Sequence, residues 1–143
     1  MAERQEMDEL FVPRTIAVAG ASNKSGKMGN LLLKRLVAEF PGRIFPIHPT
    51  EREIVGLEVY PDTAAIPDPI DLLIALVPAD SLLPLVKSCA TGRVKFLLAI
   101  SSGFGEASPR GKALERQLVS AANQRGMRVV GPNTAGILNC PYR

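Results

Sequence analysis

The sequence predicts an α/β fold: a doubly wound, mostly parallel sheet of Rossmann-like type. Three observations carry this. Short apolar runs alternate with amphipathic segments along the whole chain. The runs are continuous rather than alternating apolar and polar, as expected where helices cover both faces of a sheet. Each strand, helix, strand spacing suits a parallel pair joined by a crossover.

Taken in order, residues 3–10 form a polar helical lead-in, so that residues 1–9 precede a domain spanning 10–143. Thr15 to Ala19 is a buried strand that ends at Gly20. Met28 to Phe40 sets apolar residues at 28, 32, 33, 36, 37 and 40 on one helix face, and Pro41-Gly42 stops it. Arg43 to Ile47 is the second strand. Residues 50–69, with Pro61, Pro67 and Pro69, read as an irregular connection holding one short strand near Val55 or Val59. Ile70 to Val77 is the third strand, closed by Pro78. Asp80 or Ser81 caps a helix running to about Ala90, with Pro84 in its first turn. Val94 to Ile100 is the fourth strand. Ser108-Pro109 opens a helix with Leu114, Leu118 and Ala121 on one face. Met127 to Val130 is the last strand, followed by Gly131-Pro132-Asn133.

Composition narrows the function. At 143 residues the chain is one domain, able to bury roughly 70% of the surface its unfolded form exposes. A net charge of +3, no Trp and no run of Lys or Arg argue against a nucleic-acid surface. The longest apolar stretch, Leu72 to Val77, is far too short to span a bilayer. The N-terminus is polar and lacks the apolar core of a signal peptide, so a cytoplasmic protein is expected. Cys89 and Cys140 then read as reduced thiols, and with one histidine they make no zinc site. No Ser-His-Asp set, carboxylate pair or metal cluster marks a catalytic centre, and Cys140 has no partner base. Charge is unevenly spread: residues 11–43 hold six basic residues against one acid, and residues 51–80 hold seven acids against one arginine.

In doubly wound folds, ligands bind where the strands' carboxyl ends meet the switch in strand order. Those ends are Gly20-Ala21-Ser22, His48-Pro49, Val77-Pro78, Ser101-Ser102-Gly103 and Gly131-Pro132-Asn133. The first continues as Asn23, Lys24, Ser25, Gly26 and Lys27 into the first long helix. Small residues let the backbone approach a ligand. The helix N-terminus offers unpaired N–H groups to a phosphate, and Lys24 and Lys27 add charge. The loop fails the Walker A spacing, and Ser22 replaces the middle glycine of a dinucleotide fingerprint. NAD binding also wants an acid ending the second strand, where this chain has Ile47-His48-Pro49. Coenzyme A, with a diphosphate and a 3′-phosphate, suits a basic loop without that acid. Ser101 and Ser102 either meet the ligand or cap the strand end. Asn133 either faces the cleft or fixes its turn. Glu106 is read as capping the helix that follows, and His48 as a loop residue near ligand or solvent.

The chain resembles the ADP-forming (NDP-forming) acyl-CoA synthetases, relatives of the succinyl-CoA synthetase α subunit. The likeness runs through Leu10 to Arg14, Gly20-Ala21-Ser22, Gly26 to Gly29, Phe45 to Pro49, Glu53 to Gly56 and Tyr60. It continues through Val77-Pro78-Ala79, Ser101 to Glu106, Gly131-Pro132-Asn133 and Gly136 to Asn139. The resemblance implies a CoA-binding domain holding coenzyme A (CoA) or acyl-CoA, with contacts at Ser22 to Ser25 and at Ile100, Ser101 and Ser102. The family has Asn-Pro-Lys after the second strand; here His48-Pro49-Thr50 leaves the 3′-phosphate to Lys24, Lys27 or Arg52. It also implies further partners, a phosphohistidine domain and an ATP-grasp unit, that lie outside this sequence and without which the chain is inactive. Two other readings remain: a stand-alone or acetyltransferase-linked CoA-binding regulator, and a fragment of an NAD(P)-dependent oxidoreductase.

Overall fold

The computed structural model describes residues 2–138. Asn139, part of the family resemblance, and Cys140 lie outside the described residues. The chain runs α1 (Ala2–Phe11), β1 (Thr15–Ala19), α2 (Met28–Glu39), β2 (Arg43–Ile47), β3 (Glu53–Ile54), β4 (Leu57–Glu58), β5 (Ile70–Ala75), α3 (Ala79–Ser88), β6 (Val94–Ala99), α4 (Pro109–Asn123) and β7 (Arg128–Val130). Five strands form one sheet in the order β2-β1-β5-β6-β7, and every pairing in it is parallel. The order reverses between β1 and β5, which is the switch point of a doubly wound fold. The predicted architecture is therefore the observed one.

The apolar runs form strands because both of their faces are covered. Every residue of β1 and of β5 is buried. Alternate side chains divide between two cores, as the pleat requires. Ala17, Ala19, Leu73, Ala75, Leu97 and Ala99 join Leu82, Val86, Leu118 and Ala122 of α3 and α4. Ile16, Val18, Leu72, Ile74, Phe96 and Leu98 face the other way, with Leu10 and Leu33. The small alanines on the first face let two helices sit close to the sheet.

Asp71, at the start of β5, ties the lower edge together. Its carboxylate accepts from the backbone N–H groups of Arg14 at 2.8 Å and Thr15 at 3.2 Å. It also pairs with Lys95 of β6 at 2.9 Å, and Lys95 reaches Glu9 of α1 at 3.0 Å.

The structure corrects several expectations. The single short strand near Val55 or Val59 is a two-stranded hairpin, β3–β4, turning at Val55-Gly56. Both turn residues have positive φ, 54° and 76°, the geometry of the tight turn that matches strand twist. Gly56 adopts it freely, and Val55 is held there by its N–H donating to Asn23 Oδ1 at 3.2 Å. Helix α3 starts directly after Pro78, with no side-chain cap from Asp80 or Ser81. Pro84 consequently falls inside the helix and not in its first turn. The same helix ends at Ser88, short of Ala90, where the Arg125 guanidinium takes the carbonyls of Lys87 at 2.7 Å and Cys89 at 3.0 Å. On α2 the apolar face is narrower than its sequence suggests: Leu33 is buried, whereas Met28 and Val37 are exposed.

Candidate functional site

The carboxyl ends of β1, β2 and β5 open into a cleft of about 700 Å³. Its floor is Ala19 of β1 with Gly20 and Ala21 just after it, Ile47 from β2, and Leu76 and Val77 after β5. Gly20 is required there. Its φ is 89°, and a side chain would meet the Leu76 carbonyl oxygen at 2.7 Å. Gly29 is required for another reason: a Cβ at that position would overlap the Gly20 carbonyl. The absence of both side chains brings the first turn of α2 directly against the end of β1.

Three devices hold the loop between them. Asn23 reaches the β3–β4 hairpin, donating to the Glu53 carbonyl at 2.7 Å and to Glu51 Oε2 at 3.3 Å. Ser22 Oγ accepts from the Lys24 N–H at 3.1 Å. Asn30 donates through Nδ2 to the Ser22 carbonyl at 2.9 Å. Lys27 is the N-cap of α2 and makes no side-chain capping bond. Lys27, Met28 and Gly29 line the cleft, so the first turn of α2 presents its N-terminal, positive end to it.

The opposite wall is α3. Ser81, Pro84, Leu85 and Ser88 line the cleft, at the i, i+3, i+4, i+7 spacing of one helix face. That spacing was a usable signal. Pro61 and Asp62 complete the rim from the acidic connection. They arrive there because Tyr60 pairs with Ile47 as an added parallel bridge, its ring edge-on to Phe45 at 5.7 Å. The Asp62 carboxylate is turned toward its own backbone, accepting from Ala64 at 2.8 Å and Ala65 at 2.9 Å. His48 also lines the cleft, and its Nδ1 accepts from the N–H groups of Thr50 at 3.3 Å and Glu51 at 3.1 Å.

Of the residues singled out in the sequence, Gly20, Ala21, Ser22, Lys27, Pro49 and Val77 line this cleft. Asn23, Lys24, Ser25 and Gly26 form the exposed loop at its rim, with the Asn23 side chain engaged by the hairpin. Pro78 and Gly103 line a separate hollow of about 250 Å³ beside Asp80 and Arg110. Ile100, Ser101, Ser102 and Asn133 line neither. The Ser101 hydroxyl donates to the Val77 carbonyl, and its carbonyl accepts from the Asn133 N–H at 2.9 Å. Ser101 thus locks the strand end, and the Asn133 backbone fixes its turn with φ 53°. Glu106 does not cap α4. Ser108 does, accepting from the Gly111 N–H at 3.0 Å. The Glu106 carboxylate instead takes the N–H groups of Gly103 at 2.6 Å and Phe104 at 3.2 Å. Bonds to those backbone groups, chiefly Gly103, hold it below the usual carboxylate range. Among the described residues no cluster of His, Cys, Asp and Glu is placed to hold a metal ion, and no helix is long and apolar enough to cross a membrane.

The arrangement is a cleft with a backbone floor, a helix N-terminus and a lysine on one side and a mixed helix face on the other. It suits an elongated ligand carrying phosphate. The family model described as "CoA binding domain" matches residues 14–139. Acetate–CoA ligase [ADP-forming] I of Archaeoglobus fulgidus is 41% identical over 133 residues, which are 93% of this chain and 19% of that protein. The α subunit of acetate–CoA ligase [ADP-forming] I of Pyrococcus furiosus is 39% identical over 142 residues, 96% of this chain and 31% of the subunit. Among solved structures, a dinucleotide forming acetyl-coenzyme A synthetase 1 from Ca. Korarchaeum cryptofilum, in complex with phosphate and ADP, superposes with a TM-score of 0.85 at 40% identity. The superposition covers 91% of this chain and 28% of that one. The chain thus spans between about a fifth and a third of the length of these relatives.

Proposed function

The chain belongs to the CoA binding domain family, and from that premise we propose that it holds coenzyme A in the cleft between α2 and α3. The cleft at the β1/β5 switch point, closed by the N-terminus of α2 and Lys27, is the observation that carries this reading. In it the diphosphate of CoA lies on Gly20-Ala21-Ser22 and the first turn of α2. The pantetheine arm follows the strand ends past Val77. Ser22 to Gly26 form the near rim, and Ile100 to Gly103 with Asn133 lie further along the same edge of the sheet.

The chain serves as the CoA-binding part of an ADP-forming acid–CoA ligase. The thiol it presents attacks an acyl phosphate, giving the acyl thioester and releasing phosphate. Formation of that acyl phosphate belongs to a phosphohistidine domain and an ATP-grasp unit elsewhere in the enzyme. The contribution of the cleft in this reading is to bind and orient the thiol.

Thermal unfolding with CoA, dephospho-CoA, NAD and NADP tests the reading. CoA at a hundred times its dissociation constant adds about 2.7 kcal/mol to stability and raises Tm accordingly. Stabilisation by NADP with none by CoA would overturn it.

A further inference from the structure

Asn30 is the third residue of α2 and is 2% exposed. Its side chain does only half of what an amide can do. Nδ2 donates to the Ser22 carbonyl at 2.9 Å, while Oδ1 is buried with no hydrogen-bond partner among the described residues. A buried acceptor without a partner is destabilising, and an apolar side chain of similar size would avoid it. What the asparagine adds at this position is its donor to the Ser22 carbonyl.

Ser22 lines the cleft; Asn30 is not among the lining residues and holds Ser22 from the helix side. A backbone carbonyl carries its negative end on oxygen, and one aimed into the cleft would repel a phosphate. The Asn30 bond draws the Ser22 carbonyl toward the helix. The Ser22 hydroxyl is engaged at the same time by the Lys24 N–H at 3.1 Å. Both acceptors of Ser22 are thus occupied by partners within the loop and helix.

We infer that Asn30 is a positioning residue, which sets the electrostatic sign of the glycine loop by turning the Ser22 carbonyl away from the phosphate site. The inference rests on the coenzyme A reading and names the residue that prepares its diphosphate site. Asn30 acts through Ser22 and does not touch the ligand. The orphaned Oδ1 is the cost of keeping a donor at this position.

The test is CoA affinity by calorimetry from pH 5 to pH 8 for the wild type, Asn30→Ala and Asn30→Asp. The titratable and charged groups around the loop and the cleft it borders are Lys24, Lys27, His48, Asp62 and, through Asn23, Glu51. Dividing by the wild-type value at each pH cancels their titration and that of the CoA phosphates. Asn30→Ala is expected to weaken CoA about tenfold at every pH, the factor that one hydrogen bond of this kind carries. Asn30→Asp is expected to weaken it further at pH 8, where a carboxylate cannot donate. It should recover toward wild type at pH 5, as the buried carboxyl takes a proton and donates to Ser22 again. A structural role alone moves Tm and gives no such recovery. Asn30→Asp following Asn30→Ala at every pH would overturn the inference. If the buried carboxyl prevents folding, unchanged CoA affinity in Asn30→Ala overturns it equally. Wild-type protein that fails to bind CoA would instead remove the functional reading itself, whereas wild-type binding with unaffected variants removes only the role of Asn30.

Discussion

At the scale of single residues, the site depends on close approach and on one lysine. Gly29 lies so near the Gly20 carbonyl that any side chain must push α2 off the end of β1. Gly29→Ala is expected to cost about 1–3 kcal/mol, as overpacking does, and urea unfolding measures it. The same change should weaken CoA by displacing the helix N-terminus. Lys27 was a candidate for the 3′-phosphate from sequence. It is the N-cap of α2 and lines the cleft with Gly20 and Ser22, and under the proposed coenzyme A reading that place favours the diphosphate. Lys27→Ala is therefore expected to weaken CoA and dephospho-CoA by equal factors, each about tenfold or more. A loss confined to CoA would return Lys27 to the 3′-phosphate. These glycines and the lysine were legible because a glycine-rich strand-to-helix turn has a recognisable composition. Asn23 and Asn30 were not equally legible. An asparagine in a loop and one in a first helical turn look alike until the hairpin and Ser22 are placed beside them.

At the scale of elements, the lower edge of the sheet offers a test by pH. Burial pushes the Asp71 carboxyl up, but the Lys95 ammonium and the N–H groups of Arg14 and Thr15 outweigh it and leave it below its ordinary value. A carboxyl depressed in the folded state stabilises the protein above its unfolded pKa, and that contribution is lost as pH falls through the folded value. The unfolded value is about 3.9. Stability should therefore decline below about pH 4 in the wild type and less steeply in Asp71→Asn, read as urea midpoints between pH 6 and pH 2.5. At neutral pH Asp71→Asn should itself be less stable, because Lys95 loses one of its two charged partners. The contact links α1, β1, β5 and β6 across more than fifty residues of sequence. Local pattern could place Asp71 at the start of a strand and no more.

At the scale of the whole molecule, the sequence by itself determined the fold class, the strand order of appearance and the family. Apolar runs and their spacing are local properties, and burial on both sheet faces requires them. It also located half of the cleft, since a glycine turn after a first strand needs no distant partner to be recognised. Only the tertiary structure decided the other half. Pro61 and Asp62 reach the rim because Tyr60 pairs with Ile47, and Ser81, Pro84, Leu85 and Ser88 face the cleft because α3 starts at Ala79. It also drew Ser101 and the Asn133 backbone into fixing strand ends, and spent the Glu106 carboxylate on its own loop. The physical reason is common to all of them. Each is set by a hydrogen bond or a helix boundary, distant in the chain for Tyr60, Ser101 and Asn133 and local for Glu106, and residue type alone does not reveal which partner a polar group will take.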